Sequence, residues 1–157
     1  VLSRLVLGSA HFAQQFAHLG GLHSKLLELL LRPANTAAAL TDALLILCHL
    51  ARVGDPSLSS GGGEVHYHYR ALRVSGVCTR LPPLLQHREA GVRAKVCSLL
   101  GNVSKHGDDF YAPMLAAGLL PLLVDGCADA DGATRKLACF AVGNAGFHSA
   151  VLYEHLG

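Results

Sequence analysis

One stretch of the chain occurs twice, at a fixed distance. Residues 93–106 read RAKVCSLLGNVSKH and residues 135–148 read RKLACFAVGNAGFH, so the second copy begins 42 positions after the first. An arginine, a cysteine, a Gly-Asn pair and a histidine coincide in the two copies. Further residues related by the same shift are Gly76 with Gly118, Tyr69 with Tyr111, and Tyr111 with Tyr153. An offset shared by so many residue types indicates an internal structural repeat.

Each repeat is predicted to consist of three helices, the first of them short. In the clearest copy these helices cover 109–116, 119–127 and 133–147, with Gly118 in the first turn and Asp108 or Asp109 as a possible N-cap. A period of about 40–47 residues is typical of armadillo and HEAT repeats, and three helices per repeat favour the armadillo type. We therefore predict an all-α fold, an armadillo/HEAT-type α-solenoid of about three repeats plus the start of a fourth.

The repeats predict the organisation of the whole chain. Residues 66–107 and 108–149 are the two clear repeats, and residues 1–53 form a degenerate copy. The Gly/Ser-rich stretch 54–65 between them is predicted to be a loop, and residues 150–157 to begin a further repeat. Because repeats cover one another's apolar faces, we expect this chain to be a piece of a larger protein and its last helix to expose Leu152 and Leu156.

Composition excludes several function classes. The net charge is +2 without a run of basic residues, and no apolar run approaches the ~20 residues of a membrane span, so we predict neither a nucleic-acid nor a membrane partner. The five cysteines lack a Cys-x-x-Cys motif and are predicted to be buried thiols. The absence of catalytic or metal-binding motifs predicts no enzyme, no metal, no cofactor and no small-molecule substrate.

The third helices carry the candidate binding residues. A serine or phenylalanine, an asparagine and a histidine recur at four-residue spacing, which places them along one face of a helix. Each asparagine either bonds a neighbouring repeat or offers its amide to the backbone of a bound segment. The arginine before each trio either bridges two repeats or contacts a partner. The predicted protein-binding residues on the concave face are Arg93, Ser98, Asn102, His106, Arg135, Phe140, Asn144 and His148.

The stretch VCSLLGNVS at 96–104 resembles the third helix of an armadillo repeat. In peptide-binding armadillo proteins, a tryptophan and an asparagine four residues later line the concave groove. Phe140 and Asn144 match this pair with phenylalanine in place of tryptophan, and Ser98 and Asn102 match it with serine. The resemblance implies an armadillo receptor for an extended peptide or cargo as an alternative function.

A narrower resemblance is carried by residues 97–156, including the pieces CSLLGN, CADAD, TRKLACFAVGNA and LYEHL, and it covers residues 74–157, whereas residues 1–60 are only generically similar. This run is similar to the C-terminal armadillo region of Fused-type serine/threonine kinases. The resemblance implies a non-catalytic scaffold whose parent protein carries a kinase domain elsewhere, since no kinase motif occurs here. It further implies cytoskeletal or axonemal partners such as kinesins and central-apparatus proteins. The implied location is the cytoplasm and cytoskeleton, in particular the axoneme of the cilium.

Overall fold

The computed structural model describes residues 2–53, 65–105 and 108–155, and these are helical without any strand. The α-helices are α1 (Leu2–Gly8), α2 (Ala10–Phe16), α3 (Ser24–Leu30), α4 (Ala37–Val53), α5 (Val65–Val74), α6 (Pro82–Leu85), α7 (Ala90–Val103), α8 (Tyr111–Ala116), α9 (Leu119–Gly126), α10 (Gly132–His148) and α11 (Ala150–Tyr153). A π-helical segment covers Ala17–Gly21, and 3₁₀ segments cover Val77–Arg80 and Asp108–Phe110. The all-α prediction is confirmed.

The helices follow one another in the order that the repeat predicts. Helix α5, the segment Val77–Arg80 with α6, and then α7 form one three-helix unit, and α8, α9 and α10 form the next. Helices α2, α3 and α4 have the same order near the N-terminus, and the sequence prediction missed α1, which packs against α2 and α4. Helices α4, α7 and α10, here called the third helices, pack side by side in series.

Small side chains let the third helices approach closely. Ala138, Ala141 and Ala145 of α10 are buried at a spacing of three and four residues, which is one face of a helix. A Cβ atom at Gly101 of α7 would lie 3.3 Å from the Cα of Ala141 and closer still to the ring of Phe140. The α7–α10 contact therefore requires glycine at this point.

Glycines form the turn between the first and second helix of each unit. Gly20, Gly76 and Gly118 have φ angles of 85°, 68° and 64°, in the left-handed region that glycine adopts without strain. These are the positive-φ residues of the described chain. Gly76 and Gly118 are among the pairs related by the 42-residue shift, and Gly118 was predicted to form such a turn.

Tyrosine hydroxyls donate hydrogen bonds to the last carbonyls of the third helices α7 and α10. The Tyr69 hydroxyl donates to the carbonyl of Val103 at 2.6 Å, and the Tyr111 hydroxyl donates to the carbonyl of His148 at 2.9 Å. Val103 and His148 are the last residues of α7 and α10, whose carbonyls have no partner within their own helix. The tyrosines that recur in the sequence therefore have equivalent structural roles.

Three local predictions were wrong. The five thiols were predicted to be buried, but Cys139 is exposed and Cys127 is half-buried. The aspartates before α8 do not cap it, because Asp108–Phe110 forms a 3₁₀ turn and the N-cap position is Phe110, without a side-chain hydrogen bond. Leu152 is 0% exposed, since α11 folds back onto α8 and α10, and the exposed residues of this helix are Ala150, Val151 and Tyr153. Leu156 and residues 54–64 of the predicted loop 54–65 lie outside the described residues, and Val65 begins α5 instead of ending the loop.

Candidate protein-binding groove on the third helices

A groove of about 360 Å³ runs across α4, α7 and α10. Since these helices lie side by side, residues three or four positions apart on each of them face the same groove. Ser98 and Asn102 of α7 and Phe140 of α10 all line it, so the structure brings three of the predicted site residues together. Its lining residues are Leu7, Leu45, Cys48, His49, Arg52, Lys95, Ser98, Asn102, Lys136, Leu137 and Phe140.

The base of the groove contains polar groups without partners. Asn102 is 8% exposed as a residue, and its side-chain amide reaches the open groove without a hydrogen bond to any residue in the described part of the chain. The Nε2 atom of His49 is buried and likewise has no partner there. A buried polar group left without a hydrogen bond costs about 1–3 kcal/mol, so a ligand that bonds His49 Nε2 recovers this energy, whereas one that bonds the Asn102 amide replaces solvent.

The groove is positively charged. Its lining includes three cations, Arg52, Lys95 and Lys136. A fourth, Lys105, places its Nζ atom 5.9 Å from the centre of the Phe140 ring. None of these four cations forms an ion pair among the described residues, whose salt bridges involve Arg73, Arg88 and Arg93. Within the ranges 2–53, 65–105 and 108–155, no carboxylate lines the groove.

Besides its cations, the groove contains two titratable groups, Cys48 and His49, that are neutral at physiological pH. Burial raises the pKa of the Cys48 thiol to about 11, against the opposing effect of a hydrogen bond with Ser98. Burial, and secondly the charge of Arg52, lowers the pKa of His49. A protonated thiol is a poor nucleophile, so these groups favour binding over covalent chemistry. Residues 2–53, 65–105 and 108–155 hold no His/Cys/Asp/Glu cluster of metal-site geometry.

The side chain of Asn144 makes a hydrogen bond within the protein. Its Nδ2 atom donates to the carbonyl of Gly101 in the preceding repeat at 2.8 Å. This is the structural alternative that the sequence left open for the asparagines. Asn144 thus joins α10 to α7, whereas Asn102, its counterpart one repeat earlier, faces the groove.

Arg93 does not present its guanidinium to a partner. Its Nε and Nη2 atoms donate to the two carboxylate oxygens of Asp129, both at 2.7 Å, and the two side chains are only 17% and 12% exposed. Its Nη1 atom donates to the carbonyls of His87 and Arg88. The bridge between repeats, the alternative interpretation of this arginine, is what the structure shows.

Arg135 makes the corresponding contacts without a carboxylate. Its Nη1 atom donates to the carbonyls of Asp129 and Ala130, six and five residues earlier, as Arg93 does to His87 and Arg88. Arg135 is therefore also outside the groove. His148 is exposed at the end of α10, with its ring against Phe147, and His106 lies outside the described residues.

Sequence reasoning missed the cations of the groove. Lys95 precedes Ser98 by three residues and Lys136 precedes Phe140 by four, which is the spacing of one helical face. This spacing could have been used to predict that both lysines face the groove. His49 and Arg52 of α4 had no such signal, because the first repeat is degenerate and its alignment to the later repeats needs a gap.

The helices also limit what the chain can be. Among the described residues, no helix combines the length and the apolar character that a membrane span requires. The same residues form an all-helical, armadillo-like region and show no kinase fold.

Comparison with solved structures supports the repeat fold. The chain superposes on an engineered protein with a TM-score of 0.80, at 19% identity over 99% of this chain and 57% of that one. It also matches a designed armadillo repeat protein in complex with the peptide (KR)4, with a TM-score of 0.59, 18% identity, and coverage of 99% and 77%. At these identities the likeness shows the fold alone, and it confirms the α-solenoid.

Comparison with other sequences gives the family. No protein-family model matches the chain. Serine/threonine-protein kinase 36 of Mus musculus is 32% identical over 163 residues, which are 97% of this chain and 12% of that protein. The protein of the same name from Pongo abelii is 36% identical over 120 residues, 71% of this chain and 8% of that one. The chain spans about an eighth of the mouse relative, and it belongs to the Fused-type serine/threonine kinase family as an armadillo-repeat segment.

Proposed function

We propose that this segment is a non-catalytic protein-binding scaffold that holds an extended stretch of a partner protein in the groove across α4, α7 and α10. The observation that carries the proposal is Asn102, a largely buried residue whose amide reaches the open groove without a partner among the described residues. An amide can donate to and accept from a peptide backbone, which is how an armadillo groove holds an extended chain. The designed armadillo neighbour, which binds the peptide (KR)4, shows that such a fold can do so.

The family suggests where the scaffold acts. We propose that the segment positions a Fused-type kinase on a microtubule-based structure, the central apparatus of the cilium, with cytokinesis or Hedgehog-type signalling as the other family settings. Kinesins and central-apparatus proteins are the proposed partners, and the cytoplasm, cytoskeleton and ciliary axoneme the proposed location. The support is similarity to serine/threonine-protein kinase 36, so the kinase activity itself belongs to the proposal for the parent protein.

A receptor for peptides or transport cargo is the second candidate. The same groove supports it, because Ser98, Asn102 and Phe140 lie together there. The two candidates share the surface and differ in the identity of the bound protein.

The test is a pull-down from a ciliated-cell extract with the 157-residue chain as bait, analysed by mass spectrometry. The variant Asn102→Leu removes the amide at similar volume, and Gln86→Leu removes an exposed amide outside the groove as the matched control. We expect kinesins or central-apparatus proteins to be captured by the wild-type and control chains and lost with Asn102→Leu. Capture that is equal for all three chains would contradict binding in the groove, and enrichment of nuclear-transport cargo would favour the second candidate.

A further inference from the structure

We infer that the groove binds an acidic extended segment of its partner, because its cations have no ion-pair partner and no carboxylate lines it in the described part of the chain. This inference rests on the proposed function and specifies the chemistry of the partner. Arg52, Lys95 and Lys136 come from three successive third helices and converge on one groove. Elsewhere in the described chain, Arg93 at a comparable inter-repeat position is fully paired with Asp129.

The cations that share this groove repel one another, because none of them has an ion-pair partner among the described residues. Charges that line a cleft with apolar walls focus the electrostatic field and raise the local concentration of an oppositely charged ligand. The apolar walls here are Leu45, Leu137 and the ring of Phe140. The groove therefore attracts carboxylates, and an acidic segment would relieve the repulsion among its cations.

The spacing of the helices sets the length of the segment. Packed helices lie about 8–10 Å apart, so the distance from α4 to α10 across α7 is about 16–20 Å. An extended chain advances about 3.3 Å per residue, which gives a segment of about six residues. Asn102 on the middle helix would bond its backbone, while alternate acidic side chains would reach the cations on either side.

The neutral groups at the base are compatible with this ligand. The lowered pKa of His49 leaves its ring uncharged, and the buried Nε2 atom has no partner in the described chain. A bound carboxylate that accepts a hydrogen bond from this ring would stabilise the protonated imidazole.

The inference also predicts which ligands do not bind in the groove. The designed armadillo neighbour holds the basic peptide (KR)4, and the cations of the present groove would repel the same peptide. A nucleic acid is disfavoured, because a phosphate polymer needs a longer basic stripe than one groove of this size.

The experiment measures fluorescence polarisation of labelled peptides against the 157-residue chain. The probes are (DE)4, the basic (KR)4 and the neutral (GS)4, with labelled oligouridylate as a fourth. The charge-reversed variant R52E/K95E/K136E is compared with K25E/R32E/R70E, which changes the net charge equally at exposed residues outside the groove. Far-UV circular dichroism confirms folding, and K95M/K136M, which keeps the apolar stems, replaces the reversal if that variant unfolds.

We expect (DE)4 to bind and (KR)4 and (GS)4 not to bind. Groove reversal should weaken (DE)4 binding at least about tenfold, the control reversal less than about twofold, and salt should weaken it through screening. Equal binding of (DE)4 to both reversed chains, or no binding at all, would overturn the inference. Binding of (KR)4 or (GS)4 that Asn102→Leu abolishes would overturn the acidic preference and leave the proposed groove standing. Oligouridylate that displaces (DE)4 would replace the acidic peptide with a nucleic acid.

Discussion

The ion pair between Arg93 and Asp129 is predicted to be a main link between the last two repeats. Its two hydrogen bonds are both 2.7 Å long, and both side chains are mostly buried. Removing one partner of a buried pair costs about 3–5 kcal/mol, because the other charge remains without compensation. Arg93 keeps its bonds to two backbone carbonyls, so we expect the lower end, about 3 kcal/mol, for Asp129→Asn.

Urea unfolding followed by far-UV circular dichroism measures this loss as a change in the free energy of unfolding, and a thermal melt measures it as a shift in melting temperature. For a chain of this size, each kcal/mol lowers the melting temperature by about 2–4 °C, so Asp129→Asn should lower it by about 6–12 °C. Asp125→Asn, which changes an exposed carboxylate on α9, is the matched control and should cost less than about 0.5 kcal/mol. With Arg93→Gln, a double-mutant cycle should give a coupling energy of about 2 kcal/mol.

The same pair predicts the acid dependence of stability. The hydrogen bonds from Arg93, and then the backbone N–H of Asp131, lower the pKa of Asp129 in the folded chain. The stabilisation is therefore complete above the unfolded pKa of about 3.9 and is lost as the pH falls through the lower folded value. The Asp129→Asn variant should lack this component of the acid transition. A loss below about 1 kcal/mol at neutral pH, or a coupling energy within about 0.5 kcal/mol of zero, would refute the assigned role.

Three further predictions use pairs of equivalent residues. Gly101→Ala should cost about 1–3 kcal/mol because the new methyl meets Phe140 and the α10 backbone, whereas Gly143→Ala, with open space around it, should stabilise its helix by up to about 1 kcal/mol; thermal melts of both chains decide this. Tyr69→Phe leaves the Val103 carbonyl without its hydroxyl donor and should cost about 1–2 kcal/mol in urea unfolding, against no measurable change for Tyr153→Phe on the exposed end. The thiol of Cys78, whose pKa burial raises to about 12, should react with a thiol reagent only on unfolding, whereas exposed Cys139 should react at once. Equal effects within any of these pairs would contradict the environment assigned to its members.

The sequence predicted the helices better than it predicted their contacts. The repeat places equivalent residues on equivalent helices, so Gly118 was correctly assigned to a turn, and the predicted second and third helices of the last repeat agree with α9 and α10 to within a residue or two. The first helices were less predictable, since their capping depends on a 3₁₀ turn at Asp108–Phe110. The repeat boundaries stay predictions.

Equivalent positions did not have equivalent partners. Arg93 and Arg135 occupy the same position in successive repeats, and both bond the turn that precedes their own helix. Arg93 has in addition a carboxylate from the next repeat, and no such group lies beside Arg135 in the described chain. A residue's partner thus depends on the neighbouring repeat, which the periodicity of one helix does not contain.

The asparagines show why this difference points to function. In a solenoid, a polar residue in the middle of a third helix is stable when the preceding repeat offers it a partner, as Gly101 does for Asn144. Asn102 is less exposed than most of the helix surface and has no such partner in the described chain. Its side chain faces a groove that is also lined by cations from three helices, which have no ion-pair partner among the described residues. Because this amide reaches the open groove while the rest of the residue is packed, it is held in place to bond a backbone that lies in the groove, which explains a polar residue in the middle of α7.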